Sequence, residues 1–150
     1  MLELLLWLAA CRCDGGTTPL PAPDAHYAEF DHLVDLAAMG SVAPARELAR
    51  DLDVADDDAK LASAAGYTQT ALDAEELADG VAAMAAACGA CHAQDHVTTS
   101  TARPPFDHEH AARWAIWGLV WGPQEADSES KAAQAIAACS SCHAKAPGAR

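Results

Sequence analysis

The sequence predicts an all-α fold, a four-helix bundle in up-down-up-down order, built from two helical hairpins that each end in CxxCH. Three observations predict it. No stretch of useful length alternates apolar and polar residues with the two-residue period of a half-buried strand. Apolar residues recur instead at helical spacing, with Asp, Ser, Gly and Pro where helices should start and stop. The same pentad pattern also occurs twice, as CGACH at Cys88–His92 and CSSCH at Cys139–His143, each where an alanine-rich run ends.

Residues 1–23 read as a leader and tether, and residues 24–150 as one folded domain. Leu2–Ala9 is an apolar run of eight residues, far short of the ~20 needed to span a bilayer but long enough for the apolar part of a secretory leader. LAAC at Leu8–Cys11 resembles a bacterial lipobox, which implies a lipid on Cys11 and a site at the periplasm or the outer-membrane face. Such leaders begin with positive charge, whereas the early charge here is Glu3. Asp14–Pro23 is rich in Gly, Thr and Pro and reads as a tether.

Asp24 caps a first helix running to about Met39, with Gly40 as its stop. His26, Phe30, Leu33 and Ala37 form its apolar stripe, which Tyr27 and Val34 widen, and Glu29, Asp31, His32 and Asp35 lie off it. A short continuation begins at Pro44, where a helix start tolerates proline. The segment DLDVADDDAK is an acidic loop without the glycine or closing glutamate of a calcium loop. Asp73 and Glu76 form a capping box for the second helix, and Leu72 with Leu77 form a hydrophobic staple. Gly80 and Gly89 weaken that helix slightly. Asp107 caps a third helix that ends at Gly122-Pro123, and Asp127 or Ser128 opens a fourth. Each half thus reads as a His-bearing helix followed by an Ala-rich helix closing in CxxCH, a degenerate internal repeat.

Composition narrows the function classes. The net charge is −13, so nucleic acid is not an expected partner, because phosphate binding needs clustered Lys and Arg. A basic protein partner suits such a field, although much of this charge also suits a plain solvated surface. Half of the chain is hydrophobic but only 5% is aromatic, and alanine buries little area. A core built this way leaves room for a large apolar cofactor.

C-x-x-C-H is a c-type haem attachment pattern. Two thiols add across the vinyl groups of a haem, and the following imidazole is held where it can ligate the iron. On a helix, Cys88 and His92 share a face at i and i+4, so Cys88, Cys91 and His92 form one set and Cys139, Cys142 and His143 the other. Paired CxxC motifs also occur in zinc sites, but 51 positions separate these two, wider than ribbon spacing. A disulfide redox pair does not require a His after both. Two covalent haems are the expectation.

The segment AIAACSSCHAK near the end of the last helix resembles the cytochrome c prime class, in which Cys139, Cys142 and His143 match the attachment residues. The resemblance spans Asp24–Lys145. It implies a haem inside a four-helix bundle, with the first helix covering its distal face. The second CxxCH sets this chain apart and makes it look like a di-haem relative from bacteria. That class often leaves iron five-coordinate, whereas here histidines are available on the far side. Antiparallel hairpins put His26 at the level of His92, and His108 and His110 at the level of His143. An up-down-up-down bundle then brings all of these to one end, with both haems close together. His108 heads a small-residue stripe and His110 heads a stripe of Trp114, Trp117 and Trp121 that could wall a haem or pack the core. His32, among acids, is the weaker alternative to His26. Met39 and Met84 are expected to pack in the core or on the surface, and His96 to lie in a loop.

The expected function is a periplasm-side electron carrier rather than an enzyme, docking a basic redox partner, with a membrane tether through Cys11 and a homodimer left open. The alternatives are a gas-binding or sensing haem protein with a five-coordinate iron, a peroxidase-like haem enzyme with Glu109 as its acid-base group, and a zinc module.

Overall fold

A computed structural model of the chain describes residues 25–52, 59–94 and 110–145. Among the described residues there are six α-helices and no strand: α1 (Ala25–Ala38), α2 (Val42–Asp51), α3 (Ala59–Thr70), α4 (Ala74–Gln94), α5 (His110–Trp121) and α6 (Ser128–Lys145). The fold is all-α. The leader, the tether, His96, His108, Glu109 and the caps Asp24 and Asp107 lie outside the described residues.

Local chemistry sets several helix ends. Gly40 takes φ of +70°. The Ser41 N–H donates to the Leu36 carbonyl at 2.8 Å and the Gly40 N–H to the Ala37 carbonyl at 2.9 Å, the two bonds of a Schellman stop. At the start of α4, Asp73 Oδ1 accepts from the N–H groups of Glu75 and Glu76, both at 3.0 Å, and Glu76 Oε2 accepts from the Leu72 N–H at 2.7 Å. Replacing Asp73 by Ala is expected to cost about 1 kcal/mol, read as a lower urea midpoint with an unchanged slope. The staple does not form, because Leu77 is buried while Leu72 is 80% exposed.

The sequence reading had no helix at α3. Its buried positions, Leu61, Ala64, Ala65 and Thr68, do fall at i, i+3, i+4 and i+7, but small residues give that stripe little contrast. Contact with α4 supplies what propensity does not. A β-carbon at Gly80 would lie 2.5 Å from Thr68 Oγ1, so glycine lets α3 cross α4 closely. There Thr68 Oγ1 donates to the Ala64 carbonyl at 2.8 Å and reaches Met84 Sδ at 3.4 Å. The short helix α2 docks on α3 through Arg46 Nε to the Gln69 carbonyl at 2.8 Å and Gln69 Nε2 to the Ala49 carbonyl at 3.1 Å.

The longest helix, α4, is the hub and packs mainly on α3, α5 and α6, while α1, α4, α5 and α6 each touch the other three. Their shared interior is filled by Leu33, Leu77, Met84, Ile116 and Ile136, all fully buried, with alanines between them.

Helix directions follow from a few contacts. A β-carbon on Gly40 would lie 3.4 Å from Ser140 Cβ and 3.9 Å from Ala74 Cβ, so the end of α1, the start of α4 and the end of α6 meet. On the other side, Gln124 Nε2 donates to the carbonyls of Ala86 at 2.8 Å and Leu119 at 3.2 Å, so the ends of α4 and α5 meet. Arg113 pairs with Asp31 at 3.1 Å and Asp35 at 2.6 Å, and Trp117 meets Phe30 edge-on at 6.3 Å, so α1 runs antiparallel to α5. The directions are therefore up for α1, down for α4, down for α5 and up for α6.

This corrects the up-down-up-down expectation. Only a short connection forces consecutive helices antiparallel. The fifteen residues 95–109 can reach roughly 50 Å, well beyond the ~18 Å length of α5. The first expected hairpin is also interrupted, because α2 and α3 lie between α1 and α4, although those two remain antiparallel neighbours.

Candidate functional site

Both pentads extend the buried stripe of the helix that carries them. On α4 the stripe Leu77, Val81, Met84 and Ala85 is buried and runs on at helical spacing into Cys88 and His92, both half-buried. On α6, Ala132 and Ile136 are buried and lead into Cys139 and His143, again half-buried, with Cys142 exposed. Cys91 lies within α4, and its side chain is outside the described set.

At the first pole, the His92 ring stacks on Trp121 at a centroid distance of 4.3 Å and an interplanar angle of 11°. Its Nδ1 is buried with no hydrogen-bond partner among the described residues. Gly89, inside the pentad, carries the close approach of α5, since a β-carbon there would sit 2.1 Å from the Leu119 carbonyl oxygen. His26 lies in the first turn of α1, and the antiparallel course of α1 and α4 places that position at the level of His92, as expected from the sequence.

At the second pole, Cys139 lies beside the start of α5. Burial pushes its thiol up, as does the neighbouring Cys142, while a hydrogen bond with the Ala112 backbone pulls it partly back. His110 opens α5 and so falls at the level of His143, again as expected, and its side chain is outside the described set.

The two sets do not share one end. Ser140 sits at the start of α4 beside Ala74, and Cys88 lies fourteen residues further along that helix, about 21 Å at ~1.5 Å per residue. The expectation of adjacent centres rested on α4 and α6 running parallel. They run antiparallel, so each pentad closes one end of the shared core.

This separation bears on the alternatives. A zinc ion needs its ligands within ~2.3 Å of one point, which thiols from both pentads cannot achieve from opposite ends of the core. Among the described residues no three of His, Cys, Asp and Glu converge as a metal-holding group. A redox-active CxxC relies on a lowered thiol pKa, the reverse of the direction at Cys139. A groove of about 510 Å³ runs between the start of α4 and the outer side of α6, lined by Glu75, Asp79, Ser130, Gln134 and Ser141 among others. From the pentad it takes Ser140 and Ser141, while Cys139, Cys142 and His143 do not line it.

Sequence reasoning missed two partners of these elements. Trp121 was placed on a stripe, but its stacking on His92 depends on α4 and α5 running parallel. Asp31 and Asp35 were read as off the core, yet they grip Arg113 from α5, and the signal available was their i, i+4 spacing. Met84 packs in the core, 1% exposed, while Met39 is surface-exposed at 48%. No helix among the described residues is long and apolar enough to cross a membrane. No family model, curated protein or solved structure matches this chain.

Proposed function

We propose that the chain is a di-haem c-type electron carrier, built on a four-helix bundle of α1, α4, α5 and α6 that resembles the cytochrome c prime class, with α2 and α3 packed at its side. One observation carries the reading: each CxxCH pentad prolongs a buried helical stripe to its own end of a single core. Cys88, Cys91 and His92 would hold one haem, and Cys139, Cys142 and His143 the other. His26 at the first pole, and His108 or His110 at the second, are the candidates for the sixth ligand.

The residues fit such a group. The thiols of Cys88 and Cys139 are half-buried rather than sealed, as addition to a vinyl group requires. His92 carries a buried ring nitrogen, Nδ1, with no hydrogen-bond partner among the described residues. When bound, haem supplies a one-electron ferric/ferrous couple whose potential follows ligation, burial and nearby charge. The chain's own part would be to hold the ligands still, with Trp121 stacked on the His92 ring. With Leu33, Leu77, Met84, Ile116 and Ile136 filling the interior, the attached groups would lie toward its ends, unlike the internal site that the resemblance implies. Covalent haem attachment at CxxCH belongs to exported proteins, in keeping with the lipobox-like LAAC and a lipid tether on Cys11 at the periplasm or outer-membrane face. No substrate-converting chemistry is part of the proposal.

The test is production in a host with haem-attachment machinery, followed by intact mass, a haem-stained gel and a reduced-minus-oxidised spectrum. Two covalently bound haems in low-spin form are expected. A colourless chain without mass gain overturns the reading. High-spin bands with carbon monoxide binding replace the carrier by the gas-binding alternative.

A further inference from the structure

Three large hydrophobic side chains are exposed among the described residues: Leu72 at 80%, Met39 at 48% and Tyr67 at 46%. Scattered singly they would need no explanation, but all three lie toward one end of the helices. Leu72 lies in the turn between α3 and α4, and its N–H is held by Glu76. Tyr67 stands on the last turns of α3. Its phenol is pushed up by desolvation and by the charges of Glu76, Asp79 and Asp73. Met39 precedes Gly40, which abuts Ala74 and Ser140. All three therefore sit at the end of the bundle that carries the second pentad, and Asp73, Glu75, Glu76 and Asp79 lie beside them on α4. Of the cations near this end, Arg113 is paired with Asp31 and Asp35, Arg46 is held on the Gln69 carbonyl, and Lys145 closes α6.

We propose that Met39, Tyr67 and Leu72, with the acids of the first turns of α4, form the docking surface for a basic protein partner, an apolar patch rimmed with Lys and Arg, and that it seats that partner at the pole of Cys139, Cys142 and His143. The small exposed apolar centre supplies contact area on the scale of transient redox encounters, under roughly 1,200 Å² in total. The acidic rim supplies steering and orientation. Electron entry and exit through this surface rests on the di-haem reading; the docking surface itself does not.

The probe is a lysine-rich cytochrome c of basic isoelectric point, with its lysine-acetylated form as control. Amide shifts of the holo-chain are followed by NMR on titration, and association rates by stopped flow across ionic strength. The expected shifts cluster at residues 39–41, 67–79 and 140–145, and vanish with the acetylated probe. Glu75→Gln with Asp79→Asn should slow association about threefold to tenfold at low salt and flatten its salt dependence. Leu72→Ser should weaken binding about fivefold with the salt dependence kept. That side chain is exposed, so an unchanged melting temperature shows the variant is folded. Shifts centred on α5 or elsewhere, or variants that bind like the parent, overturn the docking surface and leave the di-haem reading standing. A chain without haem that still binds here, with the same variant effects, removes the di-haem reading and leaves the surface.

Discussion

Replacing Cys139 and Cys142 together by Ser is expected, on the proposed di-haem reading, to remove one haem equivalent and leave the other in place. The two pentads lie at opposite ends of the core, about 20 Å apart along α4. Substitutions that far apart act independently. The variant should therefore show half the iron and half the reduced absorbance per chain, with a mass lower by one haem. The converse variant, Cys88→Ser with Cys91→Ser, should lose the other half. Helical content should be kept in the first case, because Cys142 is exposed and Cys139 only half-buried. Loss of both haems on removing one pair would mean that the centres are assembled together, against the geometry described here. Full retention would mean that the pair does not attach haem.

The second large effect concerns Gly89. A new β-carbon there meets the Leu119 carbonyl oxygen at 2.1 Å and Gln124 Nε2 at 2.4 Å. The first contact is backbone, so α5 must move away from α4. Overpacking of this kind costs ~1–3 kcal/mol, more than the roughly 1 kcal/mol that alanine gains over glycine inside a helix. Gly89→Ala should lower stability and disturb the His92–Trp121 stack, read as a drop in melting temperature and a change in Trp fluorescence. Gly66 on α3 is the internal comparison, since a β-carbon there meets nothing within 4 Å, and Gly66→Ala should stabilise by up to about 1 kcal/mol. Equal effects at the two glycines would contradict the close approach.

Some of this was legible from residues alone because it is local. Gly40 as a stop and Asp73 with Glu76 as a cap need only neighbouring backbone. The pentads are local patterns too, and the levels of His26 and His110 followed from antiparallel pairing that the structure keeps. What failed is long-range. Leu72 resembles a staple in sequence but faces solvent. The stripe of α3 is made of Ala and Thr and gains its weight from Gly80 and Met84 across the interface. Above all, the course of residues 95–109 decides whether α5 returns antiparallel or crosses over, and no residue pattern within α4 or α5 encodes that choice. The error moved the two pentads from one end of the core to opposite ends, and with them the expected relation between the proposed centres.

The most direct test of the central claim is the distance between the two centres, measured by pulsed dipolar EPR on the fully oxidised holo-protein. Two ferric centres with a weak dipolar coupling, at a separation of about 20 Å or more as the helix rise requires, are the predicted result. Strong exchange coupling between adjacent irons, or a chain that carries no paramagnetic iron after maturation, would contradict the account.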